Sequence, residues 1–99
     1  MIRVKANIKL HKNDVSRKTP FANGYRPLFN FIGEMKTSGQ ITLNDRKEFF
    51  PGEEGIVEIA FLSKDYLGDD FGVGTKFTFG EGQEPLGDGE IKELINMNV

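Results

Sequence analysis

One histidine, His11, and no cysteine bound the chemistry open to this 99-residue chain. The missing thiols remove disulfides, thiolate metal sites and a cysteine nucleophile. His11 falls on the polar side of an alternating segment and reads as a surface residue, so neither a Ser-His-Asp relay nor a multi-histidine zinc site has support. Asp65, Asp69 and Asp70 could offer oxygens to a hard cation, yet they lack the alternating acidic spacing of a calcium loop and read as a solvated turn. Asp70-Phe71-Gly72 repeats a kinase magnesium tripeptide without the glycine-rich loop, lysine or catalytic loop that would give it meaning. Gly72-Val73-Gly74 and Gly80-Glu81-Gly82 complete neither G-x-G-x-x-G nor a P-loop, and are expected to supply positive φ in hairpin turns. These observations point away from an enzyme and toward a binding protein with no metal, no nucleotide and no other cofactor.

Binding chemistry has a better candidate in the basic side chains near the N-terminus. Arg3, Lys5 and Lys9 share one side of an alternating segment, and Lys12, Arg17 and Lys18 follow in the next loop. Such a row could track a phosphate backbone, or it could be a solvated strand face whose charges discourage edge-to-edge aggregation. No aromatic residue interleaves with these charges to stack on bases. The whole chain is similarly divided: residues 1–50 carry ten Lys/Arg against four Asp/Glu, and residues 51–99 carry three against eleven. A polypeptide this dipolar presents either two faces of opposite sign or, if it wraps on itself, a surface in which the signs mix.

The elements that must position these groups are short strands. Val4, Ala6, Ile8 and Leu10 alternate with Arg3, Lys5, Asn7, Lys9 and His11, the period-two pattern of a half-buried strand. Residues 12–24 form a polar loop in which Phe21 turns inward, since Pro20 disfavours a central strand. Residues 25–32 predict a second strand, 33–39 a turn, 40–43 a short third strand and 47–50 an extended piece. Residues 56–62 and 75–79 are strands, separated by a loop at 63–74 that is rich in Gly and Asp. Residues 86–95 fit a strand or one face of a helix. About six short strands suggest a closed barrel or a sandwich.

Composition agrees. Nine Phe, two Tyr and no Trp give bulk suited to strands, and twelve Gly imply many turns. At this length residues 1–99 form a single domain. There is no apolar leader and no run of roughly 20 apolar residues, so the expectation is a soluble, cytoplasmic protein without membrane contact.

Five motifs, in order, resemble the C-terminal (third) domain of translation elongation factor Tu. Lys18-Thr19-Pro20-Phe21-Ala22-Asn23-Gly24-Tyr25-Arg26-Pro27-Leu28-Phe29 is similar to that family's H-T-P-F-x-x-G-Y-R-P-Q-F. Thr37-Ser38-Gly39-Gln40-Ile41 resembles V-T-G-x-I, and Pro51-Gly52-Glu53 stands where the family has P-G-D. Lys76-Phe77-Thr78-Phe79 with Gly80-Glu81-Gly82 resembles R-F-A-I-R-E-G, and Leu86-Gly87-Asp88-Gly89-Glu90-Ile91 resembles V-G-x-G-x-I/V. The resemblance spans nearly the whole chain and implies an all-β fold, a six-stranded antiparallel closed β-barrel, with residues 86–95 as a strand.

It also implies partners. The family's barrel touches the T stem of aminoacyl-tRNA, the nucleotide exchange factor and the GTPase domain. By resemblance, Glu81 and Gly82 match positions that approach tRNA, Ser38 stands in for a threonine there, and Lys18 replaces a histidine while keeping a donor. Leu28 replaces a glutamine, and Gly80 and Glu84 fall where the family has arginines. Those losses weaken phosphate binding. The expectation is therefore a non-enzymatic module with a protein partner, acting as decoy, inhibitor or adaptor. The alternative is a barrel that contacts the acceptor and T-stem backbone of tRNA, with Arg3, Lys5, Lys9, Lys12 and Arg17 as a basic contact face.

Overall fold

The computed structural model describes residues 1–12, 19–82 and 84–97, which contain strands and no helix. Eight strands follow in chain order: β1 (Ile2–Leu10), β2 (Phe21–Ala22), β3 (Leu28–Ile32), β4 (Met35–Thr42), β5 (Glu48–Phe49), β6 (Glu54–Phe61), β7 (Lys76–Gly80) and β8 (Pro85–Asn96). Six of them close an antiparallel barrel in the order β1-β6-β4-β3-β7-β8, and β2 pairs with β5 in a separate two-stranded sheet. Closure leaves the barrel sheet without an open edge strand, although the β3–β7 ladder stops at Asn30↔Thr78, short of the end of β3 and the start of β7.

Alternation sends one side of each strand inward. Ile2, Val4, Ala6, Ile8 and Leu10 on β1 face Val57, Ile59 and Phe61 on β6, and all eight are buried. Phe29, Phe31, Phe61, Phe77 and Phe79 fill the middle. Phe29 meets Phe61 edge-on at 5.2 Å and Phe77 at 5.7 Å, and Phe31 meets Phe77 at 5.1 Å. Rings in these offset and edge-on arrangements add to the burial of their area. The β2–β5 pair brings in a second aromatic group: Phe21 stacks on Phe49 at 5.2 Å and on Tyr25 at 4.5 Å. Phe21 is thus turned inward, as its loop position suggested.

Two boundaries shift, and one segment that alternation left open resolves, for one reason; separately, β3 begins at Leu28 instead of residue 25. The 33–39 turn is only Gly33-Glu34, because β4 begins at Met35; β6 begins at Glu54 instead of residue 56; and residues 85–96, which alternation left open, are a strand throughout, as the resemblance implied. In each case an inward position carries glycine, which erases the apolar signal of alternation. A Cβ at Gly39 would lie 2.8 Å from Phe29 Cε2 and 2.8 Å from Phe61 Cε1. At Gly87 it would lie 2.3 Å from Phe79 Cζ, at Gly89 2.6 Å from Phe77 Cζ, and at Gly55 2.5 Å from Arg46 Nη2. Large groups from other strands, and Arg46 from the segment between β4 and β5, take up the space that a side chain would fill.

A smaller difference concerns turn glycines. Gly74 has φ 94° and meets the expectation of a left-handed turn residue, while Gly72, Gly80 and Gly82 do not adopt positive φ. Gly80 is required by proximity instead: a Cβ there would lie 2.8 Å from the Glu84 carbonyl oxygen.

Candidate functional site

The buried cluster of the described residues is made of apolar side chains, and the candidate groups lie around it. No group of three or more carboxylate or imidazole side chains among the described residues is placed to hold a metal ion. Nor do they include a helix long and apolar enough to cross a membrane.

The face centred on β1 carries most of the sequence's basic candidates. Its neighbours are β6 and β8, both from the acidic half of the chain, and register sets carboxylates on each side of the cations. Lys5 stands opposite Glu58 on β6 and Glu93 on β8, and Lys9 stands opposite Glu54 and Asp88. Arg3 donates from Nε to Glu58 at 2.8 Å, Asn7 Nδ2 donates to Glu54 at 2.7 Å, and His11 Nε2 lies 2.7 Å from Asp88 Oδ2. The result is an acid–base–acid striping in place of a basic patch. Lys12 follows the strand, its side chain lying along Gly52, and Arg17 lies outside the described residues. For a polyanion this face is poor, because Arg3, Lys5 and Lys9 each have a carboxylate one strand away, within a Debye length.

The positions carried over by resemblance gather at one rim. Leu28 on β3 pairs with Ser38 on β4 and with Gly80 on β7, so the three stand abreast across adjacent strands, and Glu81 and Gly82 lead off from Gly80. Glu81 accepts a hydrogen bond from the Tyr25 hydroxyl at 2.5 Å, and Arg26 Nη2 donates to Gln40 Oε1 at 3.2 Å. Lys18 lies outside the described residues. At Gly80, where the resemblance sets an arginine, the closed turn has no space for a side chain.

One surface escaped the sequence reading. Among the described residues eleven large apolar side chains are exposed, and eight of them lie at the end of the barrel opposite Leu10. They are Met1; Ile32 and Met35 at the β3–β4 turn; Leu62, Tyr66 and Val73 between β6 and β7; and Leu94 and Ile95 on β8. Leu62 and Val73 are 71% and 67% exposed. Register explains the gathering: Ile2 pairs with Phe61 and Val4 with Leu94, so the start of β1, the end of β6 and the end of β8 coincide. These residues are scattered over the chain, and no local pattern could have joined them.

At the other end, Arg46 lies over the Phe49 ring at 4.8 Å and donates to Asp45 at 3.0 Å. The Asp45 carboxyl is held below its ordinary range chiefly by that hydrogen bond, with the guanidinium charge assisting. The pair is a surface clamp beside the small sheet.

No protein-family model matches the chain. Its likeness to the elongation factor's third domain therefore stands as a resemblance of motifs, alongside a barrel of the expected strand number.

Proposed function

We propose that the chain is a non-enzymatic protein-binding module. It acts through its outer surface, imitating the third domain of elongation factor Tu closely enough to dock on a partner that ordinarily grips the factor, as decoy, inhibitor or adaptor. The observation that carries the protein-binding part is the gathering of eight exposed apolar side chains at one end of the barrel. Concentrated apolar surface on a small folded domain marks an interaction site, whereas single exposed residues do not. The striped β1 face supports the same reading, because charges of both signs suit a protein surface of complementary pattern better than a polyanion.

The test is capture from lysate by the tagged chain, compared with a Leu62→Glu/Val73→Glu variant, followed by titration of the purified nucleotide exchange factor. Both side chains are mostly exposed, so the substitutions should leave the fold intact. The expected result is a protein retained by the wild type and lost with the variant. Nothing above background, or retention indifferent to the two substitutions, would count against the reading.

A second reading, a barrel that contacts the acceptor and T-stem backbone of tRNA, has one observation in its favour: Ser38, Leu28 and Gly80 stand abreast, with Glu81 and Gly82 beside them. Titration with tRNA at low salt decides it. No binding below about 1 mM would remove it.

A further inference from the structure

We propose that the seam between β3 and β7 receives an extended segment of a partner protein in which apolar and basic side chains alternate. This inference rests on the protein-binding reading and gives it a location and a ligand class. The seam is a part of the wall where strand pairing stops short. The β3–β7 ladder covers three pairs, from Leu28↔Gly80 to Asn30↔Thr78, although β3 continues to Ile32 and β7 begins at Lys76. Where the ladder ends, a groove of about 590 Å³ opens, with Phe31 and Ile32 on the β3 side, Thr75 and Lys76 on the β7 side, and Leu67 from the connecting loop. A second hollow of about 400 Å³ shares Phe31 and Lys76 and continues along the seam to Asn30 and Thr78. The two make a track that runs beside strand edges, the setting in which extended peptides bind by β-pairing.

Side chains select the occupant. One wall is apolar, formed by half-buried Phe31 and exposed Ile32 above buried Leu67. The lip is acidic: Asp65, Asp69 and Asp70 are exposed, and Lys64 is the one cation among them. None of those four carries an ion pair among the described residues. Lys76, shared by both hollows, stands opposite Glu90 on β8, whose carboxylate pairs with Lys92 at 3.2 Å, so the three aspartates outnumber the two lysines along the track. An extended chain sends successive side chains to opposite sides, so an alternating segment can set apolar groups toward Phe31 and cations toward the aspartates.

The experiment uses the whole chain and two fluorescein-labelled octapeptides of identical composition: valine and lysine in strict alternation, and four valines followed by four lysines. At 150 mM salt the alternating peptide should bind at least tenfold tighter than the block peptide. Amide shifts should centre on Ile32, Gly68 and Thr75 in heteronuclear NMR. Asp65→Asn/Asp69→Asn/Asp70→Asn, at exposed positions, should weaken binding at least fivefold, and Ile32→Arg should abolish it. Equal affinity for the two peptides, no binding of the alternating one, shifts centred elsewhere, or displacement by a second copy of the chain would each overturn the proposal. If the peptides fail while capture still depends on Leu62 and Val73, the seam assignment is wrong and the protein-binding reading stands. If both fail, that reading falls as well.

Discussion

Replacing Gly39 with alanine adds one methyl group to the crowded centre of the barrel. The new Cβ would lie 2.8 Å from Phe29 Cε2, 2.8 Å from Phe61 Cε1 and 3.0 Å from Phe29 Cδ2. Carbon atoms pack best at about 3.5–4.0 Å, so both rings must retreat by several tenths of an ångström or more. Neither has room: both are fully buried, they meet each other edge-on, and Phe29 also touches Phe77 and Phe79. Overpacking of this kind costs about 1–3 kcal/mol, and two locked rings place it in the upper part of that range. Alanine returns about 0.4–1 kcal/mol by restricting the unfolded chain, and Gly39 does not adopt positive φ, so no backbone strain is added. The net expectation is a loss of about 2 kcal/mol.

Urea unfolding followed by far-UV circular dichroism measures this directly. In a domain of this size each kcal/mol lowers Tm by about 4–8 °C, so a fall of about 8–16 °C should accompany it. A double-mutant cycle with Phe61→Leu identifies the cause. Trimming the ring makes space for the methyl, so the double variant should be at least about 1 kcal/mol more stable than the sum of the single losses predicts. A Gly39→Ala protein within about 0.5 kcal/mol of wild type would refute the claim that ring-for-glycine packing sets this core, as would strict additivity.

Gly87→Ala should be more severe, because the added Cβ meets the Lys9 carbonyl oxygen at 2.5 Å as well as the Phe79 ring; the expected outcome is loss of cooperative unfolding, checked by the same denaturation. Asn23→Ala should cost about 1 kcal/mol, since the Leu43 amide now donates to Asn23 Oδ1 at 2.8 Å, while Asn23→Asp, which keeps an acceptor, should cost less. The Asp45–Arg46 contact contributes fully above the ordinary carboxylate pKa and is lost as pH falls through the lowered value of Asp45. In a carbon-detected NMR titration, Arg46→Ala should move the Asp45 midpoint upward, and an unchanged midpoint would remove Arg46 as the cause.

Much of the barrel is readable from local pattern, and the failures on β4, β6 and β8 share one physical origin. β1 announces itself because Val4, Ala6, Ile8 and Leu10 all carry apolar side chains on the buried side. On β4 and β8 the buried side carries Gly39, Gly87 and Gly89, and the bulk that belongs there arrives from Phe29, Phe61, Phe77 and Phe79 on other strands. Packing volume is conserved across strands, and the periodicity of any single strand does not register it. Charge behaves in the same way. The basic first half and acidic second half are plain along the chain, but closure lays β1 between β6 and β8 and turns a segregated dipole into stripes. Composition and alternation determined that this polypeptide is all-β with an aromatic core. The apolar end, the seam beside β3 and the lysines flanked by carboxylates belong to register alone, because each is made of residues that only pairing brings side by side.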